Sequence, residues 1–182
     1  MATLKVPVSS ADHSQGSESA ETILVEYGDY ECPYCKRAYP IVKQVQKHFG
    51  RRLRFVFRNF PLGEMHPHAE AAAETAEFAG AHGKFWEMHD SLFENQQNFS
   101  EQFFLELAQE LELSAKALRQ ALEDGEFESR VRSDFSSGVR SGVNGIPTFF
   151  INGRRHDGPF DFESLVSAIE EAVRKAKSAS RV

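Results

Sequence analysis

A long helical segment separates two strand-rich parts of this 182-residue chain, and this order restricts the folds that the chain can adopt. Before the segment, apolar spacing gives the order strand, helix, strand. From about residue 64 to 142 the spacing is helical throughout, and strand signals return only afterwards. The order predicts an α/β fold: a mixed sheet of about four or five strands with helices on both faces and a helical insertion at about 64–142.

The first strand–helix–strand unit has clear boundaries. Residues 22–27 form a short apolar run with β-branched residues, which is typical of a strand buried on both faces. A helix begins near Cys32 and ends at Gly50, and Pro40 inside it predicts a kink. Residues 53–58 alternate between apolar and more polar side chains and predict a second strand.

The N-terminal residues look less ordered than the rest. Apolar residues alternate over 4–8, which predicts one short edge strand. Residues 9–20 are rich in Ser, Asp, Glu and Gly and predict a loop or mobile arm. We therefore expect an N-terminal arm over 1–20 and one domain over 21–182.

The C-terminal part predicts a hairpin followed by a helix. An apolar run ends at Ile151, and Asn152-Gly153 is the strongest short-range hairpin signal, with residues 154–156 as the returning strand. Asp161 then stands where it can cap a last amphipathic helix.

Composition excludes several classes of function. The formal net charge of −6 gives no electrostatic support for nucleic-acid binding. No apolar run approaches the roughly 18 residues of a transmembrane helix, so we expect no membrane insertion. No secretory signal follows Met1, so the sequence as written predicts a cytoplasmic protein, or a periplasmic one if a signal was removed.

The two cysteines form a C-x-x-C pair at a position suited to thiol chemistry. Cys32 and Cys35 stand directly after the first buried strand and at the start of a helix. Free backbone N–H groups and the positive end of the helix dipole favour a thiolate there, which should lower the pKa of Cys32 below its free value of about 8.5. Cys35, one turn further on, is placed to attack a mixed disulfide formed on Cys32.

Three segments together resemble a known family. They are VEYGDYECPYC, GKFWEMHDSLFEN and GIPTFFING, and jointly they are similar to the DsbA-like branch of the thioredoxin superfamily. The resemblance extends from about residue 22 to the last helix. It implies a thioredoxin-like fold and an enzyme, a protein disulfide oxidoreductase acting as oxidase or reductase.

The resemblance also implies roles for individual residues. Cys32 resembles the attacking cysteine and Cys35 the resolving one. Pro147 resembles the cis-proline that faces the active site, and the backbone of Ile146 would pair with an extended substrate segment. Glu26 matches a buried acid of the superfamily, whose pKa an apolar strand should raise and which could exchange a proton with Cys35. The other interpretation of Glu26 is a paired core carboxylate with no part in turnover.

The residues between and around the cysteines depart from the strongest oxidants of the family. Pro33 and Tyr34 are expected to border the substrate, but Tyr34 replaces the His that many DsbA-like oxidants carry. Asp29 and Glu31 oppose a thiolate at Cys32, and the basic residues at 36–37 favour it. We therefore expect a moderately lowered Cys32 pKa and an intermediate redox potential.

Two other classes of function remain open from the sequence. Cys32 and Cys35 could supply two zinc ligands, with His66 and His68 as a candidate pair of further ligands. A peptide-binding or chaperone-like module could use the Ile146 loop without turnover. No nucleotide-binding fingerprint is present, and no cofactor is implied. The expected partners are cysteine-containing protein substrates, with glutathione or a redox partner protein for recycling.

Overall fold

The computed structural model describes residues 2–179 and builds them around a five-stranded mixed sheet. The strands are β1 His13–Gly16, β2 Thr22–Gly28, β3 Leu53–Asn59, β4 Thr148–Ile151 and β5 Arg154–His156. Their order across the sheet is β1-β3-β2-β4-β5, in which β2 and β3 run parallel and the other neighbours run antiparallel. The predicted fold class is confirmed, while the outer domain limits at residues 1 and 182 lie outside the described residues.

Seven α-helices occur within residues 2–179. They are α1 Pro33–Phe49, α2 Ala69–Ala81, α3 Phe85–Glu94, α4 Glu101–Glu110, α5 Ala115–Asp124, α6 Glu128–Arg140 and α7 Phe162–Ala179. Helices α2–α6 lie between β3 and β4 and form the helical insertion, inside the predicted limits of 64 and 142. Pro40 lies within α1 as expected. No helix of this part of the chain combines the length and apolar character needed to cross a bilayer.

The sheet is buried on both faces, and its side chains alternate between two apolar clusters. Leu24 and Phe55 belong to the larger cluster, which includes side chains of α1, α3 and α7. Val25 and Val56 belong to the smaller cluster on the other face, against which Phe135 of α6 packs. Side chains two residues apart on a strand point to the same face of the sheet. Glu26 therefore lies on the same face as Leu24 and points toward α1.

The hairpin and the last cap agree with the sequence. Asn152 and Gly153 both have positive φ values, 47° and 77°, as the tight turn between β4 and β5 requires. The Asp161 carboxylate accepts a hydrogen bond from the Ser164 N–H at 2.9 Å. Both local predictions are confirmed because each depends only on neighbouring residues.

The prediction of a loop over residues 9–20 is wrong at His13–Gly16. This segment is β1, and it pairs antiparallel with β3 at the edge of the sheet. Its side chains are polar, so it lacks an apolar alternation, and its partners are distant residues. Arg54 donates a hydrogen bond to the Ser14 hydroxyl at 3.0 Å, and Gln46 donates one to the Gln15 side chain at 2.8 Å.

The edge strand predicted over residues 4–8 is also wrong. Those residues form no strand, and the pairing nearby is a single bridge between Thr3 and Arg154. The apolar residues Leu4 and Val8 instead pack against the smaller core cluster. Their alternation therefore reflects burial against the core rather than pairing along a strand.

Arg58 of β3 fastens this N-terminal segment to the sheet. Its side chain is only 2% exposed, and its guanidinium donates to both oxygens of the Asp12 carboxylate, at 2.7 and 3.1 Å. It also donates to the carbonyls of Val6 and Pro7 and to the Tyr27 hydroxyl, at 2.9, 3.1 and 2.9 Å. A buried charge is tolerated here because its donors are paired.

We predict that Arg58→Met lowers the free energy of unfolding by about 3–5 kcal/mol, because the Asp12 carboxylate stays buried without its partner. Urea denaturation monitored by circular dichroism measures the change. The matched control is Arg132→Met, since Arg132 is exposed and pairs with Glu128 on the surface of α6. That control should cost about 1 kcal/mol or less. Equal losses in the two variants would contradict the anchoring role of Arg58.

Candidate active site

Cys32 and Cys35 lie at the start of α1, directly after the turn that follows β2. Cys32 is the N-cap residue, with extended backbone angles, and Pro33 occupies the first turn, where no N–H partner is needed. The Cys32 residue is 4% exposed and Cys35 is fully buried, and both are free thiols. Cys32 is therefore the more accessible of the two sulfur atoms.

The environment of Cys32 favours its thiolate. The Cys35 thiol, hydrogen-bonded to Cys32, is the largest influence and lowers the pKa of Cys32 to about 6. Burial opposes this effect, and the backbone N–H groups of Cys35 and Tyr34 support it. The Asp29 carboxylate raises the pKa of Cys32, as the sequence predicts. The net result is the moderate lowering expected at a helix N-terminus.

The environment of Cys35 has the opposite effect. Burial raises the pKa of the Cys35 thiol well above its ordinary value, and its hydrogen bond to Cys32 adds to this. The negative charge of Glu26 acts in the same direction. The two cysteines, one helical turn apart, therefore differ strongly in acidity: Cys32 ionises easily and Cys35 keeps its proton.

Glu26 is a buried acid on the sheet beneath α1. It is 2% exposed, and its Oε1 atom is buried without a hydrogen-bond partner. Burial raises the pKa of Glu26 to about 8, with a further contribution from the charge of Cys32. An unpaired core carboxyl of this kind holds a proton near neutral pH, which makes it chemically able to exchange one with a neighbouring thiol.

The loop before β4 lies at the end of the central strands where β2 leads into the cysteines. Thr148, the first residue of β4, pairs with Tyr27 near the end of β2. The peptide bond between Ile146 and Pro147, in the loop just before this strand, is cis, and both residues are half-buried. Pro33 is exposed, and Tyr34, 57% exposed, presents its ring to solvent. Pro33 and Tyr34 thus follow Cys32 in the first turn of α1, and the Ile146–Pro147 loop precedes the strand that pairs with the end of β2.

Comparison with known proteins shows the family. The profile of the family described as Thioredoxin matches residues 9–171, which is most of the chain. The chain belongs to the thioredoxin family.

Among curated relatives, a protein of Salinispora tropica named Na(+)/H(+) antiporter NhaA 3 is 41% identical over 175 residues, covering 96% of this chain and 27% of the relative. A Salinispora arenicola antiporter, NhaA 1, is 42% identical over 170 residues, covering 93% of this chain and 26% of that protein. This thioredoxin-family chain thus spans about a quarter of the length of these relatives.

Solved structures share the whole fold. BdbD from Bacillus subtilis superposes with a TM-score of 0.85 at 24% identity, covering 95% of this chain and 98% of that one. A thioredoxin-like oxidoreductase from Silicibacter pomeroyi gives 0.77 at 26% identity, covering 91% and 94%. The alpha-DsbA1 protein of Wolbachia pipientis gives 0.81 at 18% identity, covering 97% of each chain. The predicted thioredoxin-like fold is confirmed, and BdbD and alpha-DsbA1 share it.

The two histidines considered as zinc ligands bind carboxylates instead. The Nδ1 atom of His66 lies 2.7 Å from Asp29, and that of His68 lies 2.8 Å from Glu31. Within residues 2–179, no group of three or more His, Cys, Asp or Glu side chains is arranged to hold a metal ion. The structure therefore places both histidines in the loop after β3, in contact with the turn that precedes Cys32.

Gln96 is a site residue that the sequence does not reveal. Its side-chain amide donates to the carbonyls of Tyr30 and Cys32, at 2.8 and 2.9 Å. It thereby ties the cysteine turn of this thioredoxin-family chain to the end of α3, more than sixty positions away along the sequence. No local motif marks such a residue, because a glutamine in a polar turn is typical of any surface loop.

The raised pKa of Glu26 predicts a specific pH dependence of stability. Folded Glu26 keeps its proton up to about pH 8, whereas the unfolded carboxyl loses it near 4.5. The stability that this proton contributes is therefore complete below pH 4.5 and is lost as the pH rises toward 8. Between pH 5 and 8, the free energy of unfolding should fall by roughly 3 kcal/mol more in the reduced parent protein than in Glu26→Gln.

Urea denaturation at the two pH values measures this difference. The control is Glu110→Gln, because Glu110 is exposed at the end of α4 and its removal should leave the parental pH profile unchanged. Parallel profiles for Glu26→Gln and the parent protein would show that Glu26 ionises normally in the fold.

Proposed function

We propose that this chain is a protein thiol–disulfide oxidoreductase that exchanges a Cys32–Cys35 disulfide or dithiol with cysteine-containing proteins. The observation that carries the proposal is the difference between the two thiols at the start of α1: the pKa of Cys32 is lowered and that of Cys35 is raised. Thiol–disulfide exchange requires a thiolate as the attacking group and a good leaving group on the attacked sulfur. The lowered pKa of Cys32 suits it to both tasks.

In the reducing direction, the Cys32 thiolate attacks one sulfur of a substrate disulfide, and the other substrate sulfur leaves as a thiolate. The result is a mixed disulfide between Cys32 and the substrate. Cys35 then loses its proton and attacks the Cys32 sulfur, which forms the Cys32–Cys35 disulfide and releases the second substrate thiol. Two electrons pass from the dithiol to the substrate disulfide, and the oxidising direction reverses each step.

Glu26 is proposed as the proton acceptor for Cys35. The Cys35 thiol holds its proton strongly, so its attack on the mixed disulfide needs a base nearby. Glu26 faces α1 from the sheet, the two groups interact electrostatically, and a pKa of about 8 leaves a fraction of Glu26 ionised, and so able to accept a proton, near neutral pH. A base with such a pKa can accept the proton in one direction and return it in the other.

The substrate is proposed to lie across the Ile146–Pro147 loop. Ile146 is half-buried between the two core clusters, and its backbone precedes the strand that pairs with β2. An extended segment placed there would add a short strand to the loop, with its cysteine near Cys32. The exposed Pro33 and Tyr34 would border the same segment.

Recycling is proposed to come from glutathione or a redox partner protein, and the direction of exchange depends on the compartment. A disulfide acts as donor or acceptor according to its reduction potential relative to that of its surroundings. The relatives from Salinispora are named as antiporters, and this chain matches about a quarter of each. We propose only the thiol chemistry of the shared segment for this chain.

Cysteine substitutions test the proposal. With a disulfide-containing peptide as substrate, Cys35→Ser should accumulate a stable mixed disulfide through Cys32, because the resolving thiol is missing. Cys32→Ser should lose reduction of the same peptide by about a hundredfold or more, since Cys35 is buried and holds its proton. Mass spectrometry identifies the trapped adduct, and thiol release measures the rate.

The peptide-binding alternative predicts a different result. A module that only binds extended segments would retain the peptide equally in the parent protein and in Cys32→Ser. It would form no covalent adduct in Cys35→Ser. Retained binding without an adduct would therefore contradict the oxidoreductase proposal and support a peptide-binding role.

A further inference from the structure

The Asp29 residue shapes the turn that presents Cys32. It lies between β2 and α1 and is 2% exposed. Its backbone carbonyl accepts a hydrogen bond from the Cys32 N–H at 3.2 Å, and its Oδ1 atom accepts one from the Glu31 N–H at 2.7 Å. The position of the Asp29 carboxylate is therefore linked to the position of the candidate nucleophile.

The other oxygen of this carboxylate is held by the loop after β3. The Leu62 N–H donates to Oδ2 at 2.9 Å, and the Nδ1 atom of His66 lies 2.7 Å from the same oxygen. A carboxylate only accepts hydrogen bonds, so His66 is the donor, as a neutral or a protonated ring. The two neutral backbone donors leave His66 as the partner that can bring a positive charge to Asp29.

This contact matters for Cys32 because Asp29 opposes the thiolate. The Asp29 carboxylate raises the pKa of Cys32, although burial and the hydrogen bonds to the sulfur affect that pKa more strongly. A donor that binds the carboxylate draws its negative charge away from the sulfur, and a protonated imidazole does so more strongly than a neutral group. The 15% exposure of the His66 side chain keeps this interaction partly shielded from water.

We propose that His66 is a positioning residue of the thiol–disulfide site: by binding Asp29, it limits how strongly that carboxylate opposes the Cys32 thiolate. The redox consequence rests on the proposed function, whereas the effect on ionisation does not. His66 makes this contribution from outside the C-x-x-C motif and without contact with the substrate.

The neighbouring pair supplies a matched control. His68 binds Glu31 through both its backbone N–H, at 2.6 Å, and its ring, at 2.8 Å. Its side chain is 41% exposed, and Glu31 is not among the largest influences on the pKa of Cys32. The two histidines thus make the same kind of contact two residues apart, and only the contact of His66 reaches Cys32 through Asp29.

The test is titration of the Cys32 thiolate by its ultraviolet absorbance in the reduced protein, without substrate. In His66→Gln, which offers an amide donor but cannot carry a positive charge, the acid dissociation constant of Cys32 should fall about threefold. In Asp29→Asn it should rise, and adding His66→Gln to that variant should have no further effect. His68→Gln should match the parent protein.

Two results would overturn the proposal: an unchanged Cys32 titration in folded His66→Gln, or an equal shift with and without Asp29. If His66→Gln does not fold, His66→Arg replaces it, since arginine offers a donor and always carries a positive charge. That variant should titrate at or below the parental Cys32 pKa, and a raised value would count against the proposal. Because no substrate is present, failure of disulfide exchange leaves this readout intact.

Discussion

The hydrogen bond between the Cys35 thiol and Cys32, together with the burial of Cys35, determines which of the two sulfurs carries negative charge. It lowers the pKa of Cys32 to about 6, and the same bond contributes to the raised pKa of Cys35. The free N–H groups at the start of α1 act with it, and burial keeps Cys35 protonated. The proposed mechanism depends on this asymmetry, because Cys32 must attack first and Cys35 only after the mixed disulfide has formed.

The fold supplies this asymmetry through a small number of connections. The parallel pairing of β2 and β3 places α1 between them, with its N-terminus at the end of β2. Side-chain alternation along β2 directs Glu26 toward α1. Asp29 connects the cysteine turn to the loop after β3, and Gln96 connects it to the end of α3. The helical insertion therefore helps to hold the turn that carries Cys32, in addition to covering the core.

The features that the sequence predicts are the local and periodic ones. The strand before Cys32, the hairpin at Asn152 and the helical insertion all follow from short patterns, and the structure has each of them. The motifs also single out Cys32 and Cys35 at the start of α1, Glu26 on β2 and the Ile146–Pro147 loop before β4. Their catalytic and binding roles stay predictions.

The features that the sequence does not reveal depend on partners far along the chain. Strand β1 is polar and exists because β3 and its side chains pair with it. His66 and Asp29 are 37 positions apart, so no spacing rule connects them. Gln96 likewise acts on backbone carbonyls that only the folded chain brings near it. In each case a hydrogen bond between distant residues decides the structure.

The most direct test of the account is the reduction potential of the Cys32–Cys35 pair, measured by equilibration in glutathione buffers. A Cys32 pKa of about 6 lies between the roughly 7 of thioredoxin and 3.5 of DsbA. Since an acidic thiol stabilises the reduced form, we predict a reversible intramolecular disulfide with a potential between about −270 and −120 mV. Failure to form a Cys32–Cys35 disulfide, or a potential outside that range, would contradict the account.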